Sequence, residues 1–250
     1  MLRHIHLKLY LLLIFCLFIR TEVYGISLEV RPGVAFLQTK MENEDVHSFF
    51  PVFCGDLILT WPAGPMESRL RINVSLGTTN TTYLFNNTIS NSPYLADSKL
   101  LVRNYFLSFR ESLPFHFFKK RLFISPHTEL KIAHYTDLSA ASEFINRTTD
   151  WIFSFLNIGL ELSYREKSYE IRSSYNFPLF GYLTDKLLKE NRCEDEFELS
   201  FRLKNKNGWI SIGYNGFTLR YSVITKNGDG IPYHSKSHAM LFASIGINFK

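Results

Sequence analysis

The sequence predicts an all-β chain, a single antiparallel up-and-down transmembrane β-barrel of 8–10 strands, and three observations predict it. Apolar and polar residues alternate with period 2 along most of the chain. Many of these segments run roughly 10–15 residues, where soluble strands cluster near about 5–6 and a tilted membrane-crossing strand needs about 9–11. After residue 25 no stretch approaches 18 consecutive apolar residues, so no spanning helix is expected.

The first 25 residues read as an export signal. Arg3, His4, His6 and Lys8 make a basic start, and residues 9–19 (LYLLLIFCLFI) an apolar run. Val23 and Gly25 then supply the small side chains that a signal peptidase accepts. The run suits a signal core of about 7–15 residues and falls short of the roughly 20 of a spanning helix. Cleavage after Gly25 is expected, leaving residues 26–250 as one barrel domain. Cys16 is no lipidation site, because Ile14 and Phe15 before it are too bulky.

The strands follow in order. In the first, Ile26, Leu28, Val30, Val34 and Phe36 alternate with Ser27, Glu29, Arg31, Gly33 and Ala35. Residues 52–61 are mixed. Leu70, Ile72, Val74 and Leu76 alternate with Arg69, Arg71, Asn73 and Ser75. Residues 100–110 and 121–135 are again mixed, the latter interrupted by Pro126. Residues 151–165 settle to Leu156, Ile158, Leu160 and Leu162 against Asn157, Gly159, Glu161 and Ser163. Tyr169, Ile171, Tyr175 and Phe177 oppose Glu170, Arg172, Ser174 and Asn176. Phe197, Leu199, Phe201 and Leu203 oppose Glu196, Glu198, Ser200 and Arg202. Residues 209–224 and 237–249 bring the expected count to about ten. Successive side chains of a strand point to opposite faces, so each regular segment has one apolar and one polar face.

Residues 77–93, 139–150 and 183–196 are polar connections, the last with room for one or two helical turns. Residues 205–208 predict a tight hairpin, since Asn-Gly readily takes positive φ. Asn215-Gly216 is read as a bulge within one long strand. Long loops alternating with short turns are the asymmetry of membrane barrels, and 77–93 and 183–196 are expected outside. Beyond the signal stand 21 Phe, 11 Tyr and 3 Trp. Phe49, Phe50, Trp61, Tyr135, Trp151, Tyr182 and Trp209 fall near strand ends, where amphipathic rings favour the membrane boundary.

Without Arg3, Lys8, Arg20 and Glu22, the 28 basic and 23 acidic residues fall to 25 and 22, a net charge of +3. That balance is mild and dispersed, which argues against a nucleic-acid partner. The polar faces of the strands carry Glu29, Arg31, Arg69, Arg71, Glu161, Arg165, Glu170, Arg172, Glu196, Glu198 and Arg202. In a barrel of this size they would meet in the lumen and pair, filling it, or line a narrow polar pore for small hydrophilic solutes. Cys54 and Cys193 remain in the exported chain and could pair, although two distant cysteines are no disulfide framework.

The chain resembles small bacterial outer-membrane β-barrel proteins of the opacity-protein type. The signal peptide, the opening strand at residues 27–38 (SLEVRPGVAFLQ) and the closing strand at 239–249 (AMLFASIGINF) carry the resemblance. In that family a terminal aromatic helps the barrel-assembly machinery recognise the last strand; here Phe249 is penultimate, before Lys250. The resemblance implies an outer-membrane location, contact with membrane lipid and lipopolysaccharide, and a structural or surface-interaction role with host or phage ligands at the loops.

No catalytic, cofactor or metal motif stands out. Residues 219–231 (LRYSVITKNGDGI) are loosely similar to the penultimate strand of barrel enzymes that deacylate lipid A. Where those enzymes have a histidine two residues before the serine, Ser222 has Arg220, which stays protonated and cannot be a general base. His234, Ser235, Ser237 and His238 form a polar cluster expected in a loop after Gly228-Asp-Gly-Ile-Pro232. His47, His116, His127 and His134 show no ligand spacing. Asn-X-Ser/Thr triplets at Asn73, Asn80, Asn86 and Asn146 would read as glycan sites in a eukaryotic secreted protein.

Overall fold

The computed structural model describes residues 25–41, 44–80, 99–137, 149–183, 186–187, 195–224 and 230–249. The strands are β1 (Ser27–Met41), β2 (Glu44–Ala63), β3 (Met66–Asn80), β4 (Lys99–Ser112), β5 (Phe115–Phe117) and β6 (Leu122–Asp137). They continue with β7 (Thr149–Arg165), β8 (Tyr169–Leu183), β9 (Lys186–Leu187), β10 (Asp195–Lys204), β11 (Gly208–Ile224) and β12 (Gly230–Asn248). No helix occurs among the described residues. β5 and β9 are short additions on β6 and β8. The other ten strands pair antiparallel, each with the next in sequence, and β1 meets β12 to close the ring. Closure leaves none of the ten with a free edge, the one sheet topology that a bilayer tolerates.

Short turns gather at one end of the barrel. The β2–β3 turn uses Gly64 at φ +65°, a left-handed conformation that costs glycine little. The β7–β8 and β10–β11 turns and the β5 hairpin share that end, as do the start of β1 and the end of β12. The connections β1–β2, β3–β4, β6–β7, β8–β10 and β11–β12 all leave from the other end, here the loop end. The three expected loops are therefore on one side. Strand structure reaches further into them than expected, to Asn80, from Thr149 and from Asp195. Of the helical turns expected within 183–196, the described part at Lys186–Leu187 is strand instead.

Three local expectations need correction. The turn at 205–208 forms, with the Asn205 N–H donating to the Gly208 carbonyl at 2.8 Å, but neither Asn207 nor Gly208 has positive φ. The Asn205 side chain accepts the Asn207 N–H at 2.8 Å and so shapes the turn itself. Asn215 and Gly216 sit in regular register opposite Met240 and Ala239, and the irregularity of β11 lies between Tyr221 and Val223. Pro126 does not interrupt β6. A residue's N–H and C=O point the same way in an antiparallel ladder. The Pro126 carbonyl accepts from Leu113, just past the last β4 pair at Ser112 and His127, so the missing N–H falls where that ladder has run out.

The alternation resolves into an inverted polarity. Along β10 burial alternates strictly, with Glu196, Glu198, Ser200 and Arg202 buried and Phe197, Leu199, Phe201 and Leu203 exposed. Outward-facing Ile212 is 65 % exposed while inward Glu196 is 3 % exposed. Val74, Ile158, Leu160, Leu241 and Ile245 continue the outer apolar surface around the ring. A soluble monomer rarely shows a continuous apolar patch beyond a few hundred Å². This exterior matches hydrocarbon as its solvent. Of the aromatics expected at the boundary, Trp61 keeps to the outer face, in register with Ser68 of β3, and is buried there beside Phe109, with ring centroids 6.1 Å apart. Trp209 turns inward instead. Trp209 lies against Gly246, where an added Cβ would overlap the indole, and 5.0 Å from the Arg202 guanidinium. The side chains of Phe49, Phe50, Tyr135, Trp151 and Tyr182 lie outside the described residues.

Candidate functional site in the barrel lumen

The eleven charged residues expected inside all sit on the inner face, and the structure joins them, with others, into two sets of contacts. Glu196 of β10 is the centre of the larger. It accepts from Arg71 at 2.6 Å, Asn215 at 2.8 Å, Lys131 at 3.2 Å and Asn176 at 3.4 Å. β3, which carries Arg71, lies five places from β10 around a ring of ten, so this ion pair spans the lumen. Arg71 also donates to Asp56 at 2.8 Å, and Asn73 donates to the other oxygen of that carboxylate at 2.5 Å. Asn176 donates to Glu129 at 2.7 Å and accepts a short contact from His127 Nε2. A buried charge is tolerable only when paired and hydrogen-bonded. The central groups meet that demand from six different strands.

Further pairs lie toward the turn end. Glu29 holds Arg31 at 2.8 Å, Arg202 at 2.7 Å and Ser244 at 2.7 Å, while Arg31 reaches Glu198 at 2.9 Å. Glu161 pairs with Arg69 and Arg172, both at 3.2 Å. Glu170 takes three cations, Lys204 at 2.9 Å, Arg165 at 3.0 Å and Arg172 at 3.1 Å. Beneath these groups a cavity of about 320 Å³ opens at the turn end, with Trp209, Ser27 and Asn248 in its wall. Toward the loop end the inner face changes character. Ala35, Val52, Phe106, Ala133, Phe153, Phe155, Phe217 and Met240 are buried there. Lys131 joins the two regions, its ammonium 4.0 Å from the Phe106 ring and 5.2 Å from Phe217.

Arg165 is the least buried of the eleven, at the rim. Asp56, Arg110, Glu129, Lys131 and His127 belong to the larger set and were missed, because they lie on the strands whose pattern is mixed. His127-Thr-Glu-Leu-Lys131 does alternate and would have exposed three of them. Asp56 and Arg110 share inner faces with Val52, Ile58 and Phe106, and no period-2 polar signal survives there.

His234, Ser235, Ser237 and His238 are not in a loop but in β12, opposite residues of β1 and β11. β11 and β12 extend their ladder through Pro232 to Gly230, two of the residues that suggested a loop. His238 is buried in the lumen, edge-on to Phe217 at 4.7 Å. The side chains of His234, Ser235, Arg220 and Ser222 lie outside the described residues. Four residues along a strand separate Cα atoms by about 13 Å, so His234 and His238 do not share a ligand position. Cys54 is buried with no disulfide partner among the described residues, and Cys193, its expected partner, lies outside them. Asn73 is buried on Asp56, which overturns it as a glycan acceptor; Asn86 and Asn146 lie outside the described residues.

No protein-family model matches the chain, and no curated protein sequence matches it. Solved structures do. Neisserial surface protein A is 9% identical over 89% of this chain and 97% of its own, with a TM-score of 0.37. The P. putida toluene transporter TodX is 9% identical over 92% of this chain and 91% of its own, at 0.37. Ail, the attachment invasion locus protein of Yersinia pestis, is 8% identical over 90% of this chain and 99% of its own, at 0.29. These neighbours are small outer-membrane β-barrels, while the closed ring of ten strands in this chain rests on its own pairing.

Proposed function

We propose that this chain is an integral protein of the bacterial outer membrane, exported by a signal peptide cleaved after Gly25. Its role is structural or surface-interacting, and its lumen is sealed. The observation that carries this reading is the pair of opposed faces: an apolar exterior around the whole ring, and an interior crossed by the Arg71–Glu196 ion pair. An even-numbered antiparallel barrel with short turns at one end and longer connections at the other fits an outer-membrane barrel whose turn end faces the periplasm. The loop end then meets lipopolysaccharide and ligands from host or phage. β12 is the strand for the assembly machinery, with Phe249 beside it donating its N–H to the Ile26 carbonyl at 2.7 Å.

A narrow porin-like channel is the weaker reading, because charges that pair across a lumen occupy the path a solute would take. Lipid hydrolysis gains no support from Arg220 and Ser222, since a guanidinium does not deprotonate. The test is electrophoretic mobility of the protein extracted from outer membranes, with and without boiling. A folded membrane barrel stays compact in mild detergent and shifts only on heating. A soluble protein with no shift would overturn the assignment.

A further inference from the structure

We infer that the turn-end cavity is a binding site for a small oxyanion, a phosphate or carboxylate group. Its charges do not balance. Arg69, Arg165, Arg172, Arg202 and Lys204 line it, against the carboxylates of Glu29, Glu67 and Glu170. The excess is local, because the central groups around Glu196 carry at least as many acids as bases. The carboxylates are also oversubscribed. Glu170 alone faces three cations, and Glu29 faces two together with a hydroxyl. Glu161, paired with Arg69 and Arg172 behind the lining, offsets one of the two excess charges, and the one that remains, partly removed from water, forms a well for a negative ligand.

The donors left over point to the same ligand. Arg202 is 5% exposed, and its Nε finds no hydrogen-bond partner among the described residues. The indole Nε1 of Trp209, in the same wall, is equally without one. Buried donors are normally satisfied, so an unpaired guanidinium N–H beside an unpaired indole N–H asks for an acceptor. About 320 Å³ accommodates an inorganic phosphate or a small dicarboxylate, and the mouth opens beside the turns. The inference does not depend on the role proposed for the loop end.

The experiment is calorimetric titration of the full chain in neutral phosphatidylcholine nanodiscs with inorganic phosphate, and separately with succinate. Saturable one-site binding is expected. It weakens about tenfold in Arg165→Gln/Lys204→Gln, which removes two partly solvated cations. It tightens in Glu67→Gln, which removes an acid from the rim. All three positions are partly exposed, and retained heat-modifiability shows that the variants fold. Repeating the titration with phosphatidylglycerol in the discs separates the sources of the anion. A lost phosphate response assigns the site to a lipid headgroup, and an unchanged one to a soluble ligand. Absence of saturable binding up to tens of millimolar, or an affinity that neither substitution moves, would overturn the inference.

Discussion

The two halves of the lumen are filled by different physics. On the turn side, ion pairs join strands far apart in sequence, as in Glu29 with Arg202 and Arg69 with Glu161. On the loop side, Phe153 stacks on Phe155 at 5.8 Å, and Val52, Ala133 and Met240 are buried on the same inner face of the barrel. A charge buried in one half has a small set of acceptable partners in a fixed geometry. An apolar side chain in the other needs only volume. The charged half therefore specifies which strands face one another across the barrel, and the apolar half fills space with little directional demand.

The largest expected effect lies at the hub of the charged half. Glu196→Ala leaves Arg71 and Lys131 buried without their shared carboxylate, and urea unfolding in lipid vesicles is expected to show a loss of about 3–5 kcal/mol. On the outer wall, Ile212→Arg places a charge in the apolar belt and is expected to cost about 2–4 kcal/mol in the same assay. A small effect there would mean that this face does not meet hydrocarbon. In the apolar half, Phe153→Leu keeps most of the volume and is expected to stay under about 1.5 kcal/mol. A loss matching that of Glu196→Ala would erase the distinction between the halves. The smallest effect belongs to the exposed pair Arg121–Glu166 at 2.9 Å, where Arg121→Gln changes stability by about 0–1 kcal/mol, less at high salt.

This contrast also explains what could be read beforehand. On β3, β8 and β10 the inner positions 69–75, 170–176 and 196–202 are all polar and the outer ones between them apolar apart from Ser173, so period 2 revealed both the strand and its lumen residues. On β2 and β4 the inner face passes from the apolar half to the charged half along one strand. Val52 precedes Asp56 and Phe106 precedes Arg110, and alternation blurs although the strands are as long as the rest. One boundary aromatic failed for a related reason. Trp61 and Trp209 both stand at strand ends, but composition does not say which way a ring turns: Trp61 packs on the outer face and Trp209 inside. The histidine–serine cluster was obscured by Gly228, Gly230 and Pro232, which mark loops locally yet leave β12 free to start at Gly230. Closure of the ring, which decides that Arg71 faces Glu196, is a long-range property that no local pattern carries.

The sealed lumen is the central claim, and single-channel recording of the full chain in a planar bilayer tests it most directly. With Glu196 holding Arg71 and Lys131 across the barrel and Phe106, Phe153 and Phe217 packed above them, the trace is expected to stay at the level of the bare membrane. Discrete, reproducible current steps from the unmodified protein would contradict a filled interior and restore the channel reading.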